Sequence, residues 1–440
     1  MERDCRRNHR AKRQIVSTVS KSRVDKSGKV LSAPLDDLTE EYLELEETFD
    51  QYRQSHLEPL TSLTATVQNV LNGVGERYYV AQRLKRKPQI LRKLNRLSVR
   101  LTQLQDIGGL RIIVDDNAAV DRINAAIVQT LGSSRNYSIK KSTDYRPYGR
   151  DDSGYRALHN VISSDSIHLE MQVRSHAQHY WAESVERTSV FYGKRLKEGE
   201  GSNVVLLYFK NLSILFGEVE RGNKASADAV SMLERLRAKS EEVIRREGHS
   251  HLMDGYVNED VIKTMLQKEK SNPGQFNNWI LVFDWSSASF LTWDIVSREP
   301  GAAVAQYVRY EKEFPEDRNY EVVLIGSSDI ATVQKTHSHY FGLARPDSIL
   351  EDLGQSVRSF VSDAAIDYGA KKILTVLFRR KVWGERHGIQ KSTLQNHFCK
   401  DVPNFDASLL VLLDRGLILN KGGPGLALNV AKTAEIEQLV

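Results

Sequence analysis

Apolar and polar positions change period several times along this chain, and each change marks a predicted element. Leu38, Tyr42, Leu45 and Phe49 recur at helical spacing, so the pattern predicts helix over residues 38–72, with Asp36 or Asp37 placed to cap its start. The run from Gly108 to Val114 is short and almost wholly apolar after a glycine pair, which predicts a buried strand carrying one arginine, Arg111. From Ile167 to Arg174 the period is two: Leu169, Met171 and Val173 share one face of a strand, and Glu170, Gln172 and Arg174 share the other. Ser175 then stands as the N-cap of a helix that opens with His176 and His179. Helices follow over 201–221 and 224–247, the second stopped at Gly248. Beyond Asn272-Pro273-Gly274 come a strand from Trp279 to Trp285, a strand from Phe290 to Val296, a helix at 301–314, a strand from Tyr320 to Ile325 and a helix at 329–341. That order predicts a small α+β domain over 272–345 with a sensing or interaction role.

The last stretch, 368–440, reads as winged-helix-like. Helices run from Lys371 to Lys381, from Gln390 to Cys399 and from Asp406 to Arg415, and two short apolar strands then flank the turn Asn420 to Gly425. Such a unit either enters a DNA groove or serves protein contacts; without an unusual excess of Lys and Arg, protein contacts are preferred. The predicted organisation is a basic, flexible N-terminus at 1–37, a principal domain at 38–250, the small domain at 272–345 and the unit at 368–440.

Composition narrows the class. A chain of 440 residues with 40% hydrophobic content has room for two or three domains with real cores. Net charge is +5, a mild bias towards anionic partners. The two cysteines, Cys5 and Cys399, make neither a disulfide framework nor a zinc site, which suits a reducing cytoplasm. No apolar run approaches the length that spans a membrane, and the basic N-terminus lacks the apolar core of a secretory signal.

Charge is distributed unevenly. Residues 81–100 hold eight Lys or Arg and no acid, and residues 1–30 hold ten against three acids. A charge run is either a solvated face or a site for polyphosphate or nucleic acid. Asp106 sits immediately before the predicted strand at 108–114, where a carboxylate is either a turn residue or a ligand for Mg²⁺. Glu170, on the polar face of its strand, is a candidate second carboxylate for the same cleft, as Mg²⁺-assisted phosphoryl transfer requires. Tyr155 follows the turn Asp151-Asp152-Ser153-Gly154 and is either a core residue at a loop edge or a stacking platform for a base. His176 and His179 lack a third ligand at suitable spacing and read as hydrogen-bonded structural histidines.

The order of these parts resembles the synthetase domain of the RelA/SpoT family over residues 60–200. The resemblance rests on Arg83-x-Lys85 with Lys93, on Asp106-Ile107-Gly108-Gly109-Leu110-Arg111, on Gly154-Tyr155-Arg156-x-Leu158-His159, and on Glu170-x-Gln172-x-Arg174. It implies a mixed sheet flanked by helices, nucleotidyltransferase-like, and transfer of pyrophosphate from ATP to a ribose 3′-hydroxyl. It further implies that Arg83 and Arg111 sandwich adenine, that Lys85 and Lys93 grip the ATP phosphates, and that Asp106 and Glu170 hold Mg²⁺, with Glu170 also the general base. His159, Gln172 and Arg174 would lie near the acceptor, and Tyr155 would stack on its base. Stacking contributes about 1–3 kcal/mol, so Tyr155→Ala is expected to raise the acceptor KM by roughly 5- to 150-fold in a transfer assay.

Two positions depart from the family pattern. Gln89 replaces a frequent serine, and Asp151 stands where guanosine-nucleotide synthetases often carry a lysine. A carboxylate there repels 5′-phosphates, so the acceptor stays open between GDP or GTP and the 3′ CCA end of tRNA. The first makes the chain a (p)ppGpp synthetase without a hydrolase domain. The second makes it a translation toxin of phage-defence type, restrained by its C-terminal half. A third reading is a winged-helix DNA-binding regulator with a nucleotide-sensing domain.

Overall fold

A computed structural model of the chain describes residues 19–34, 39–76, 78–150, 153–223, 226–247, 277–284, 286, 289–297, 299–315, 318–327, 368–384, 388–399, 402, 405–420 and 425–440. The expected cap at Asp36 or Asp37, Asp151, Gly248, the helix at 329–341 and the centre of the turn at 421–424 lie outside them. The chain divides into two compact units: residues 1–147, 156–179 and 254–342 form the first, and 148–155, 180–253 and 343–440 the second.

The first unit opens with three helices, α1 (Lys21–Ser32), α2 (Glu40–Gln54) and α3 (Leu57–Val74). Part of the segment expected to be a flexible basic tail is therefore helical. Val24, Ser27, Gly28 and Leu31 recur every three or four residues and are buried, while Arg23 and Lys26 pair with Glu44 and Glu41 of α2. The predicted helix at 38–72 is two helices, and Thr39 caps the first by accepting from the Tyr42 amide at 3.2 Å. Buried His56 occupies the break, its Nδ1 2.8 Å from the Tyr52 carbonyl oxygen. Helical phase survives such a short break, so periodicity alone does not reveal it.

One mixed sheet follows, in the order β3-β4-β5-β2-β1-β8-β6-β7. Its members are β1 (Tyr78–Leu84), β2 (Gly108–Val114), β3 (Ser138–Asp144), β4 (Leu158–Ser164), β5 (Ile167–Ser175), β6 (Asn277–Asp284), β7 (Ser289–Val296) and β8 (Tyr320–Ser327). The pair β2–β5 is parallel; every other named pair is antiparallel. The fold class is thus the expected α+β, a mixed sheet flanked by helices. On one face lie α3 and α5 (Asn117–Gly132), whose Leu60, Leu63, Val67, Val120, Ile123 and Ile127 share a core with Leu110, Ile112, Leu169, Met171 and Val173. Gly108 lets these layers close: a Cβ there would stand 2.9 Å from Leu169 Cδ2 and 3.4 Å from His56 Cβ. Gly108→Val is expected to cost about 1–3 kcal/mol through overpacking, read from urea unfolding; an unchanged midpoint would show that the layers can part.

The segment expected to stand apart at 272–345 contributes three strands to this same sheet. β8 pairs with β1 at Gln82↔Gly326 and Arg83↔Ile325, and β6 lies beyond it. The edge of β1 explains this, because an apolar strand such as β8 satisfies backbone groups that β1 would otherwise leave bare. Sequence pattern names strands but not the edge they seek.

Among its described residues the second unit has two cores. Trp181, Tyr208, Phe209, Leu212 and Phe216 form one, supplied by α6 (His176–Tyr192), which starts in the first unit, and by α7 (Asn203–Glu220), with α8 (Ala227–Glu247) adding Leu233. The other gathers α10 (Tyr368–Arg379), α11 (Phe405–Asp414), the strand pair β9 (Ile418–Asn420) and β10 (Leu426–Leu428), and α12 (Thr433–Leu439). No helix among the described residues is long and apolar enough to cross a membrane.

Candidate active site

Alternation along three neighbouring strands places most candidate side chains on the sheet face away from α3. Gln82 bonds Thr61 and Thr64 of α3, so Arg83, the next residue of β1, belongs to the opposite face. On β2, Leu110 and Ile112 enter the core with α3, which leaves Arg111 on that opposite face. On β5 the same parity sets Glu170, Gln172 and Arg174 there. Register aligns them across the sheet: Arg83 faces Gly109, Gly109 faces Glu170, Arg111 faces Gln172, and Gln172 faces His159 of β4.

Asp106 lies at the mouth of β2. Lys85 leaves β1 beside it, because its amide donates to the Ile107 carbonyl at 2.7 Å. Lys93 approaches from α4 (Lys87–Leu97), which begins with Pro88 in its first turn. Both ammoniums stand 2.6 Å from Asp106 Oδ2. The other oxygen, Oδ1, is buried and accepts no hydrogen bond among the described residues. Burial opposes ionisation of Asp106, but Lys85 and Lys93 outweigh it and hold the carboxyl well below its usual range. Lys85 has the Asp106 carboxylate beside it and feels two rival cations, Lys93 and Arg83. Burial, Lys93 and Arg83 together outweigh Asp106, so its ammonium is pushed below the ordinary lysine value. Two cations to one anion leave this pocket with positive charge in excess.

Glu170 is held from two sides. His159 Nδ1 lies 2.9 Å from Oε1, and Gln172 Nε2 donates to Oε2 at 2.6 Å. Arg174 Nη2 donates in turn to Gln172 Oε1 at 2.6 Å, and its side chain is buried. Burial raises the Glu170 carboxyl, His159 and Gln172 lower it, Asp106 raises it, and the sum falls below the ordinary value.

The structure therefore brings together Asp106, Lys85 and Lys93 as one cluster, and Glu170, His159, Gln172 and Arg174 as a second, with Arg83 and Arg111 at register positions on the same face. Tyr155 belongs to the second unit. It forms a bridge with Arg150 after Gly154, a glycine at φ 78°, and its ring meets Trp181 edge-on at 6.5 Å. Ser175 caps α6 as expected, with Gln178 N donating to its Oγ at 3.1 Å and Gln178 Oε1 accepting from its amide. His176 lies 3.4 Å from Asp115 and edge-on to Tyr79.

Sequence reading did not see that both lysines converge on Asp106. Antiparallel pairing of β1 with β2 would have shown it for Lys85, which follows the Leu84↔Gly108 pair. For Lys93 no such signal exists, since its reach depends on the angle of α4.

Paired cations on one carboxylate, with a second carboxylate row on the same sheet face, are groups suited to phosphate chemistry. Residues 82–196 match the family model described as "Region found in RelA / SpoT proteins". Small alarmone synthetase 1 from Bacillus subtilis, solved with its product pppGpp, is similar at 19% identity over 40% of this chain and 94% of that one, with a TM-score of 0.34. A GTP pyrophosphokinase family protein from Streptococcus pneumoniae is similar at 19% identity over 47% and 98%, with a TM-score of 0.33. No curated protein matches the sequence.

Proposed function

We propose that this chain is an ATP pyrophosphotransferase of RelA/SpoT type that modifies a ribose 3′-hydroxyl, a reading supported by the match of residues 82–196 to that family's model. The observation that carries the reading is the Asp106–Lys85–Lys93 cluster set on the same sheet as the Glu170 row. The orphaned, buried Asp106 Oδ1 and the hard oxygens of Asp106 and Glu170 fit Mg²⁺, which these two residues would hold. The ion would neutralise phosphate charge as the pyrophosphoryl group moves.

The protein's own part is positioning and charge. Lys85 and Lys93, now engaged with Asp106, are placed to turn their charge to the ATP phosphates. Arg83 and Arg111, on adjoining strands, carry planar cations suited to stacking on adenine. Glu170 accepts the proton of the 3′-hydroxyl as its oxygen bonds to the β-phosphorus of ATP and AMP leaves. His159 and Gln172 fix both oxygens of that base, and Arg174 fixes Gln172.

The acceptor proposed first is GDP or GTP, which makes the product (p)ppGpp. The test offers the purified protein γ-labelled ATP and Mg²⁺ with GDP, GTP or tRNA in separate reactions. Label on GDP or GTP supports this acceptor, and label on tRNA alone replaces it with the toxin reading. No transfer to any of them would overturn the proposed function. Residues 368–440 we assign to a winged-helix unit used for protein contacts, supported by a helix, a helical turn, a helix and a strand pair around one core. A specific DNA footprint lost on deleting 368–440 would replace that assignment.

A further inference from the structure

The residues just after β1 are gripped from the far end of the sequence. Arg53 of α2 is fully buried, and its fork meets Glu311 of α9 (Pro300–Glu313): Nη1 donates to Oε2 at 2.9 Å and Nη2 to Oε1 at 3.3 Å. The same Nη2 donates to the carbonyl oxygen of Lys85 at 3.2 Å. Tyr307, also buried, lies under the guanidinium, 5.0 Å from ring centre to Cζ. Glu311 Oε1 in addition accepts from the amide of Lys87 at 3.4 Å. Between these two, Arg86 pairs with Glu321 of β8 at 3.1 Å. Three consecutive residues, 85 to 87, are thus fixed by two acids from β6–β8 and its helix, one of them through Arg53.

Lys85 has little freedom left. Its amide is tied to Ile107, its carbonyl to Arg53, and only the side chain extends to Asp106. An ammonium on a four-carbon stem is a poor locator by itself, because each rotatable bond must be ordered when it grips an anion. Fixing the backbone at both peptide groups removes part of that cost before the ligand arrives.

We infer that Glu311, acting through Arg53, is a positioning residue for Lys85, so that the added β6-β7-α9-β8 segment is part of the ATP site rather than a module beside it. This rests on the proposed role of Lys85 as a phosphate ligand. Glu311 touches no substrate in this scheme; it sets the place from which Lys85 reaches.

The test compares the full chain with Glu311→Gln, Glu311→Asp, Lys85→Met and the double variant Lys85→Met/Glu311→Gln. Affinity for Mg·ATP is read by calorimetry without an acceptor, transfer is read by single turnover, and melting curves establish folding. Glu311→Gln is expected to weaken ATP binding about tenfold with acceptor KM within about twofold. Glu311→Asp should recover part of the loss, and in the Lys85→Met background the Gln change should cost less than about twofold, because coupled residues are not additive. A folded Glu311→Gln protein with unchanged ATP affinity overturns the inference, as does an equal loss in both backgrounds. If Glu311→Gln fails to fold, Glu311→Asp carries the same comparison in both backgrounds. A wild-type chain that binds ATP but transfers to no acceptor sinks the proposed function and leaves the affinity comparison decisive for Glu311. One that binds no ATP overturns both.

Discussion

Asp106→Asn is expected to abolish transfer, by about 10³-fold or more, and at the same time to destabilise the fold. In the proposed reaction the rate falls because a fixed charge near the phosphates is lost, an effect typically of about 10²–10³, together with a proposed ligand for Mg²⁺. Stability falls because Lys85 and Lys93 both lie 2.6 Å from one Asp106 oxygen and would face each other without it. Breaking a fully buried pair costs about 3–5 kcal/mol; with some solvent reaching these side chains, about 1–3 kcal/mol is expected in urea unfolding. The sign with pH follows from the lowered Asp106 carboxyl. Its contribution is fully present above the unfolded value of 3.8 and is lost as pH falls through the depressed folded value. The stability gap between wild type and Asp106→Asn should therefore begin to narrow as pH drops below 3.8 and close below the depressed folded value. Transfer within about tenfold of wild type, or a gap that widens in acid, would remove Asp106 from both roles.

A chain ending near residue 270 is expected to be inactive and poorly folded, although such a cut looks like a clean separation of domains in sequence. It would remove β8 and bare the edge of β1 over Gln82 and Arg83. It would also strip Glu311 and Tyr307 from Arg53, baring the side of α2 that α9 covers. Among the described residues Arg53 would keep only Asp50 as an acid partner, and the apolar surface of β1 and α2 that the lost segment covers would meet water. Soluble yield, thermal melting and the labelled-ATP assay, run beside a chain ending near 345, measure this. Full activity at residue 270 would show that strands β6 to β8 are dispensable.

Much of the site can be read before folding because its chemistry is local. Asp106 with Gly108-Gly109 before an apolar run, and Glu170-x-Gln172-x-Arg174 on a period-two strand, need only strand parity to share a face. The Glu170–Gln172–Arg174 chain of hydrogen bonds is a direct result of spacing by two. Partnerships distant in sequence are illegible. Nothing near Arg53 announces Glu311, 258 residues away, and an apolar run at 320–325 names a strand without saying that its neighbour is β1. The N-terminal helix was obscured for a different reason: its basic residues dominate the composition, while the buried stripe Val24, Ser27, Gly28 and Leu31 contains only two strongly apolar residues.

Pairing of β1 with β8 also sets a clock. A ribosome that has made Leu84 must add 243 residues before Ser327 exists. At about 5–20 residues per second that is about 12–50 s during which the β1 edge has no partner and Arg53 no Glu311. If the acceptor were tRNA, an emerging chain would spend that interval beside its own target. Late closure of the sheet would keep such an enzyme incomplete until Ser327 had been made.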